Sequence, residues 1–306
     1  MTNFVEHTLA FANGKGGVGK TSMSSNCGGL AAAAGWRVLV ADFDPQGNLS
    51  EDLGLEQDNG NALLTSLMTG TPVPIIKNVR TNLDVVPGGR ALADITNVLA
   101  GRAARMEDPS QRPDTFGDLL HASLSPIASD YDLIVFDLPP GYPAIINGTL
   151  ECTRALVIPT RADSASIGGL QAVAEAFTVA RKTNPSLRLA GVALFQIGSR
   201  SKRLEEAVRD RVTEMIGAAA PVFATRIRHL ETAAYDLRDK GLLAHELESE
   251  AANAQVSRLA ALRAGKKPVD EYLARSASGL AEDYEQLTME IFARMSEFDA
   301  EQEVVA

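Results

Sequence analysis

The stretch Gly14-Lys15-Gly16-Gly17-Val18-Gly19-Lys20-Thr21 decides the fold of this 306-residue chain. It satisfies the spacing G-x-x-x-x-G-K-[ST], in which successive backbone N–H groups turn inward around phosphate oxygens. Glycines suit the loop because a Cβ would obstruct that close approach. Lys20 then reaches the β- and γ-phosphates, Thr21 offers a hydroxyl to Mg²⁺, and Ser22 opens a helix whose positive end adds to the cradle. By average residue usage the bare pattern arises by chance in on the order of one chain in a hundred of this length.

Its surroundings fit the reading. The run His7 to Ala12 (HTLAFA) precedes the loop as a short apolar strand. Ser22 to Ala34, rich in small residues, predicts a helix stopped by Gly35, and Arg37 to Ala41 (RVLVA) predicts a second strand ending at Asp42. Strand, glycine loop, helix, strand is a βαβ unit, which requires a parallel sheet covered on both faces. Further strands are expected at Leu83–Val86, Leu133–Phe136, Ala155–Ile158, Leu187–Phe195 and Val222–Ala224. The clearest helices between them are Asp163–Thr183 and Arg203–Ile216. The expected fold class is α/β: one doubly wound, mostly parallel sheet with helices on both faces. A single domain is expected over residues 1–306, with its core at about 7–240 and a helical C-terminal extension at about 241–301, broken at Gly265-Lys266-Lys267-Pro268.

Carboxylates stand where such sheets place their ligands, at the C-terminal ends of strands. Asp42 and Asp44 in Asp42-Phe43-Asp44-Pro45-Gln46-Gly47-Asn48 should point the same way across Phe43. They either face Mg²⁺ and an attacking water or form a solvated acidic turn ahead of a helix. Asp137 closes the apolar run Leu133–Phe136, the position of a Mg²⁺-directed carboxylate in phosphoryl-transfer sites. Pro139 and Pro140 would stiffen the turn that follows. Lys15 has no required role in a generic phosphate loop, and there the solvated-cation reading is favoured over a functional one.

Three segments together resemble the ParA/MinD family of deviant Walker A ATPases, and its ParA/Soj-type partition ATPases in particular. They are Asn13 to Thr21, the run D-x-D-P-Q-G-N at Asp42–Asn48, and Tyr131 to Pro140, which matches Y-D-x-x-x-x-D-x-P-P. The resemblance implies an ATPase that binds ATP and Mg²⁺ and hydrolyses ATP to ADP and phosphate. It makes Lys15 the lysine that reaches a partner's nucleotide in an ATP-sandwich homodimer. Lys20 and Asp44 join Lys15 as the catalytic set, and Asp44 organises the hydrolytic water. Gly14 to Ser22, Asp42, Asp137 and Pro139 line the nucleotide, with Thr21, Asp44 and Asp137 as metal ligands. Gly141 departs from the family, where serine is common, and should loosen the loop.

Charge narrows the partners. Lys and Arg total 29 against 39 Asp and Glu, a formal net charge of −10. That excludes a uniformly basic nucleic-acid binder while leaving room for a local patch. The segments Gly191–Arg200 and Phe223–Arg228 resemble those of the family that approach DNA, so Arg200, Lys202, Arg203, Arg226 and Arg228 are the candidates for non-specific contact. The competing reading is charge pairing along a helix, such as Arg209 with Glu205. A ParB-like centromere-binding partner and nucleoid association in the ATP state follow from the resemblance. Two alternatives stand beside it: an ATP-switched scaffold for a non-DNA cargo, and a MinD-like membrane-cycling ATPase. The acidic tail after Gly279, with Arg294 its lone basic residue, argues against an anionic lipid surface. No apolar run approaches the ~20 residues that cross a bilayer, so a cytoplasmic chain is expected. Cys27 and Cys152 are too few for a disulfide scaffold or a four-cysteine metal site. No room is expected before Gly14 for an N-terminal helix-turn-helix domain.

Overall fold

Strands that are apolar on both faces need a helical layer above and another below. In the computed structural model, which describes residues 4–106, 108, 110, 112–198, 202–217, 220–265 and 277–305, the chain supplies both. The strands are β1 (Thr8–Phe11), β2 (Val38–Asp42), β3 (Ile76–Arg80), β4 (Leu83–Val86), β5 (Leu133–Asp137), β6 (Ala155–Thr160), β7 (Arg188–Ile197) and β8 (Val222–Arg228). The helices are α1 (Lys20–Ala33), α2 (Asn48–Asp52), α3 (Asn61–Thr69), α4 (Ile95–Ala104), α5 (Phe116–Leu124), α6 (Pro143–Glu151), α7 (Ser164–Ala180), α8 (Lys202–Ile216), α9 (Glu231–Lys240), α10 (Ala244–Arg263) and α11 (Ala277–Val305).

One sheet runs β3-β4-β2-β5-β1-β6-β7-β8, parallel throughout except for β3, which pairs antiparallel with β4 at the edge. Successive residues of a strand face opposite layers. Ala10, Leu39, Ile134 and Leu156 join the side covered by α3, α5, α6 and α7, while Leu9, Val38, Val40, Val135 and Val157 join the side covered by α1, α10 and α11. The last helix therefore completes a layer beside α1. Leu280, Tyr284, Leu287 and Ile291 of α11 are buried there.

Two differences from the sequence reading have local causes. β3 (IKNVR) was not expected, since it is polar, half exposed and bulged, with Asn78 at φ 55°, as an edge strand can be. β8 continues past Ala224 to Arg228 because its alternating polar residues lie on the other edge of the sheet.

Arg154 fastens α11 to the sheet. Its side chain is 2% exposed, and it donates to the carbonyls of Ser186 and Phe298, each at 2.8 Å. Replacement by alanine strands those two acceptors in the interior. Arg154→Ala is expected to destabilise the chain by about 2–4 kcal/mol. Urea unfolding measures the loss, and hydrogen exchange should show faster opening in the last turns of α11.

Candidate nucleotide site

Three neighbouring strands end together. In the register of the sheet Phe11 of β1 lies opposite Asp137 of β5, and Asp137 lies opposite Asp42 of β2. The loop that leaves β1 therefore arrives beside both carboxylates and runs into α1 at Lys20. Loop amides and a helix N-terminus converge there, an arrangement that favours anions.

The loop is braced from β6 and α7. The buried Asn13 amide donates to the Pro159 carbonyl at 2.7 Å and the Ser166 carbonyl at 3.3 Å, while its oxygen accepts from the Lys15 N–H at 2.8 Å. Gly14 N–H donates to the Gly169 carbonyl at 3.2 Å. At the far end Gly19 has φ 89°, and the Phe195 ring stands 2.5 Å from where a Cβ would be, so glycine is required. Asn13 escaped the sequence reading, although a polar residue closing an apolar strand before the loop was its visible signal.

Burial sets the electrostatics. Lys20 is 6% exposed, and its ammonium donates to the Lys15 carbonyl at 3.1 Å. Burial lowers its pKa, while Asp137 and Asp44 pull it back up. Asp137 is pushed up to about 7 by burial, against hydrogen bonding from Thr21 and the charge of Lys20. Its Oδ2 is buried without a hydrogen-bond partner. Asp44 is also raised by burial, and its Oδ1 accepts from Gln46 N–H at 2.9 Å.

Asp42 does a different job from the one expected. The strand ends at Asp42, so alternation no longer orients the pair. Asp42 Oδ1 accepts from Asp44 N–H at 2.8 Å and Oδ2 from Leu49 N–H at 3.2 Å. Both oxygens tie down the turn, and Asp44 is the carboxylate that lines the cleft. That cleft has a volume of about 680 Å³ and extends from Gly16, Lys20 and Thr21 past Pro140 to Gln196, Tyr235 and Tyr284. Such dimensions suit a nucleotide.

Known proteins resemble this chain over the part that carries the loop. A family model described as an AAA domain (AAA_31) matches residues 6–189. The chromosome partitioning protein ParA of Myxococcus xanthus is 29% identical over 210 residues, which cover 67% of this chain and 70% of that one. The sporulation initiation inhibitor protein Soj of Bacillus subtilis is 30% identical over 197 residues, covering 63% of this chain and 74% of its own. The chain belongs to the ParA/MinD family. An ATP complex of a McdA variant from Cyanothece shares the fold, with a TM-score of 0.69 over 93% of this chain and 95% of that one at 21% identity.

As a ParA/MinD-family ATPase, the chain uses its departures in legible ways. Gly141 sits at φ 75°, a left-handed turn that glycine adopts without strain, beside the Pro139-Pro140 corner. Gln196 enters the cleft at φ 54°, a strained backbone position no sequence signal announced. The candidate DNA residues separate. Arg226 pairs with Glu205, and Arg228 donates to Asp283 at 2.6 and 2.7 Å. Neither presents the free positive charge expected of it. Arg209 pairs with Glu205 at 2.9 Å, the helix-surface pairing weighed from sequence. Arg203 is exposed. Arg200, Lys266 and Lys267 lie outside the described residues, as does the side chain of Lys202. No helix among the described residues is long and apolar enough to cross a membrane.

A carboxyl that stays protonated to higher pH when folded makes the folded chain bind the extra proton. Nucleotide- and metal-free protein is therefore expected to lose stability as pH rises through about 7, the value for Asp137. Asp137→Asn should raise the metal-free melting temperature at pH 8 and flatten that pH dependence. The same change should lower ATP hydrolysis by about two orders of magnitude. Thermal melts in EDTA and a phosphate-release assay check both halves.

Proposed function

We propose that this ATPase depends on Mg²⁺, closes as a homodimer around two ATP molecules, binds DNA without sequence preference, and segregates a chromosome or plasmid with a ParB-like partner. The observation that carries the reading is the division of labour between two lysines of one loop. Lys20 is buried and bonded within its own loop. Lys15, five positions earlier in the same loop, is exposed to solvent, free to face a second copy across the phosphates.

The donor set suits a divalent cation. Among the described residues no three His, Cys, Asp or Glu side chains cluster as a metal cage, so Mg²⁺ would rely on few protein ligands together with phosphate and water oxygens. Thr21, Asp44 and Asp137 are the residues that would hold it, and the unpartnered Asp137 Oδ2 is the acceptor such an ion would satisfy. Bound there, the ion neutralises charge on the phosphate oxygens. The chain's own groups do the rest. Loop amides and Lys20 orient the phosphates, Asp44 at the cleft wall holds the attacking water, and the Pro139-Pro140 corner shields it.

DNA contact would rest on Lys202 and Arg203 at the start of α8, together with Arg200 outside the described residues, since Arg226 and Arg228 are held in ion pairs. Those pairs favour the second reading, an ATP-switched scaffold that positions a non-DNA cargo.

Lys20→Ala and Asp44→Ala should each remove measurable ATP turnover while the folded state persists by circular dichroism. Unchanged turnover in either variant overturns the assignment of the site. Lys15→Ala should stay monomeric with ATP in light scattering, whereas an unaltered ATP-dependent dimer would exclude its action across the interface. With ATP bound, DNA affinity should fall steeply as salt rises. If no salt-sensitive DNA binding appears, the scaffold reading is the one that survives.

A further inference from the structure

The end of β6 and the segment that follows it grip the phosphate loop from outside at three points. Asn13 is held by the carbonyls of Pro159 and Ser166, and Gly14 N–H by the carbonyl of Gly169. The third point is a cation. Arg161 donates from a guanidinium nitrogen to the Gly17 carbonyl at 3.5 Å. The arginine approaches from beyond the cleft, whose lining includes Gly17 and Gly19 but not Arg161.

Its charge also acts on a neighbouring carboxylate. The carboxylate beside it, Asp163, caps α7 by accepting from Ser166 N–H and Ser166 Oγ, both at 2.8 Å. That capping is the first cause of its lowered pKa, with Arg161 and Lys15 contributing through their charges. Arg161 thus stands between a capped aspartate and the apex of the loop.

The geometry of a peptide unit gives this contact a consequence. Every peptide bond described is trans, so the carbonyl of Gly17 and the N–H of Val18 point in opposite directions from one plane. A carbonyl drawn outward to Arg161 turns the Val18 N–H inward, toward the phosphates. Gly17 sits at φ 73°, and no atom lies within 4 Å of where a Cβ would stand, so it has no packing of its own to fix that plane. A charged donor on the carbonyl also polarises the peptide and strengthens its N–H as a donor.

We infer that Arg161 is a positioning residue for ATP: it sets the orientation of the Gly17–Val18 peptide so that one N–H of the cradle faces the phosphates before nucleotide arrives. The role rests on the ATPase activity of the family and is independent of dimerisation and of DNA.

The test compares Arg161→Met, which keeps the length of the stem without a donor, with Arg161→Lys, which keeps a charged donor. Nucleotide-free melting temperature, the rise in that temperature on adding ATP, and kcat/KM are measured for each beside the unaltered chain. Arg161→Met should melt like the unaltered chain without nucleotide. With ATP it should show a smaller rise and about a tenfold lower kcat/KM, and Arg161→Lys should recover most of both. Two results overturn the inference: an Arg161→Met chain with unaltered kcat/KM, or one whose nucleotide-free melting drops while its response to ATP is retained. Loss of turnover in the unaltered chain would instead strike at the ATPase assignment itself, and the ATP-induced rise in melting temperature still decides the role of Arg161.

Discussion

Asp42 and Asp137 stand opposite each other at the ends of adjacent parallel strands, both buried. Two carboxylates so placed resist ionising together, since each is desolvated and each repels the other's charge. Some of their neighbours ease that conflict, while the charge of Asp44 adds to it. Asp42 accepts from the amides of Asp44 and Leu49, which offset only part of the burial that, with the charge of Asp137, holds its pKa well above the usual carboxylate range. Asp137 has the neighbouring charge of Lys20 and the hydroxyls of Thr21 and Ser24, yet keeps one oxygen unpartnered. The site is built around a charge imbalance that a bound cation would correct.

Most of the frame could be read from the chain because its signals are strong and local. A phosphate loop between an apolar strand and a small-residue helix specifies a βαβ unit, and apolar runs ending in Asp137 or Pro159 mark buried strands. The readable part ended where partners from distant sequence decide the outcome. Arg226 and Arg228 appear as free cations along the chain. Glu205 lies on α8 and Asp283 on α11, and only the packing of both beside β8 turns the arginines into ion pairs. Alternation could not assign Asp42 and Asp44 separate tasks either, because the chain leaves extended geometry between them. Asn13 was visible as a buried polar residue in waiting, but its acceptors, Pro159 and Ser166, come from well over a hundred residues away.

The pairing of Arg228 also changes the meaning of the acidic tail. In sequence the tail reads as a solvated surface that repels anionic partners. In the fold Asp283 is buried against Arg228, and Glu290 accepts the N–H groups of Ala224 and Thr225 at 2.7 and 2.8 Å. Part of the net charge of −10 therefore caps the edge strand β8, whose amides would otherwise be open to pairing with another chain.

Part of the cleft wall is supplied by Leu280 and Tyr284 of α11. Since the chain is made from its N-terminus onward, the phosphate loop emerges from the ribosome well before this wall. A nascent chain holds the cradle for phosphates long before it has the surface that encloses the remainder of the nucleotide. The two parts of the cleft are thus joined by folding across more than 250 residues of chain.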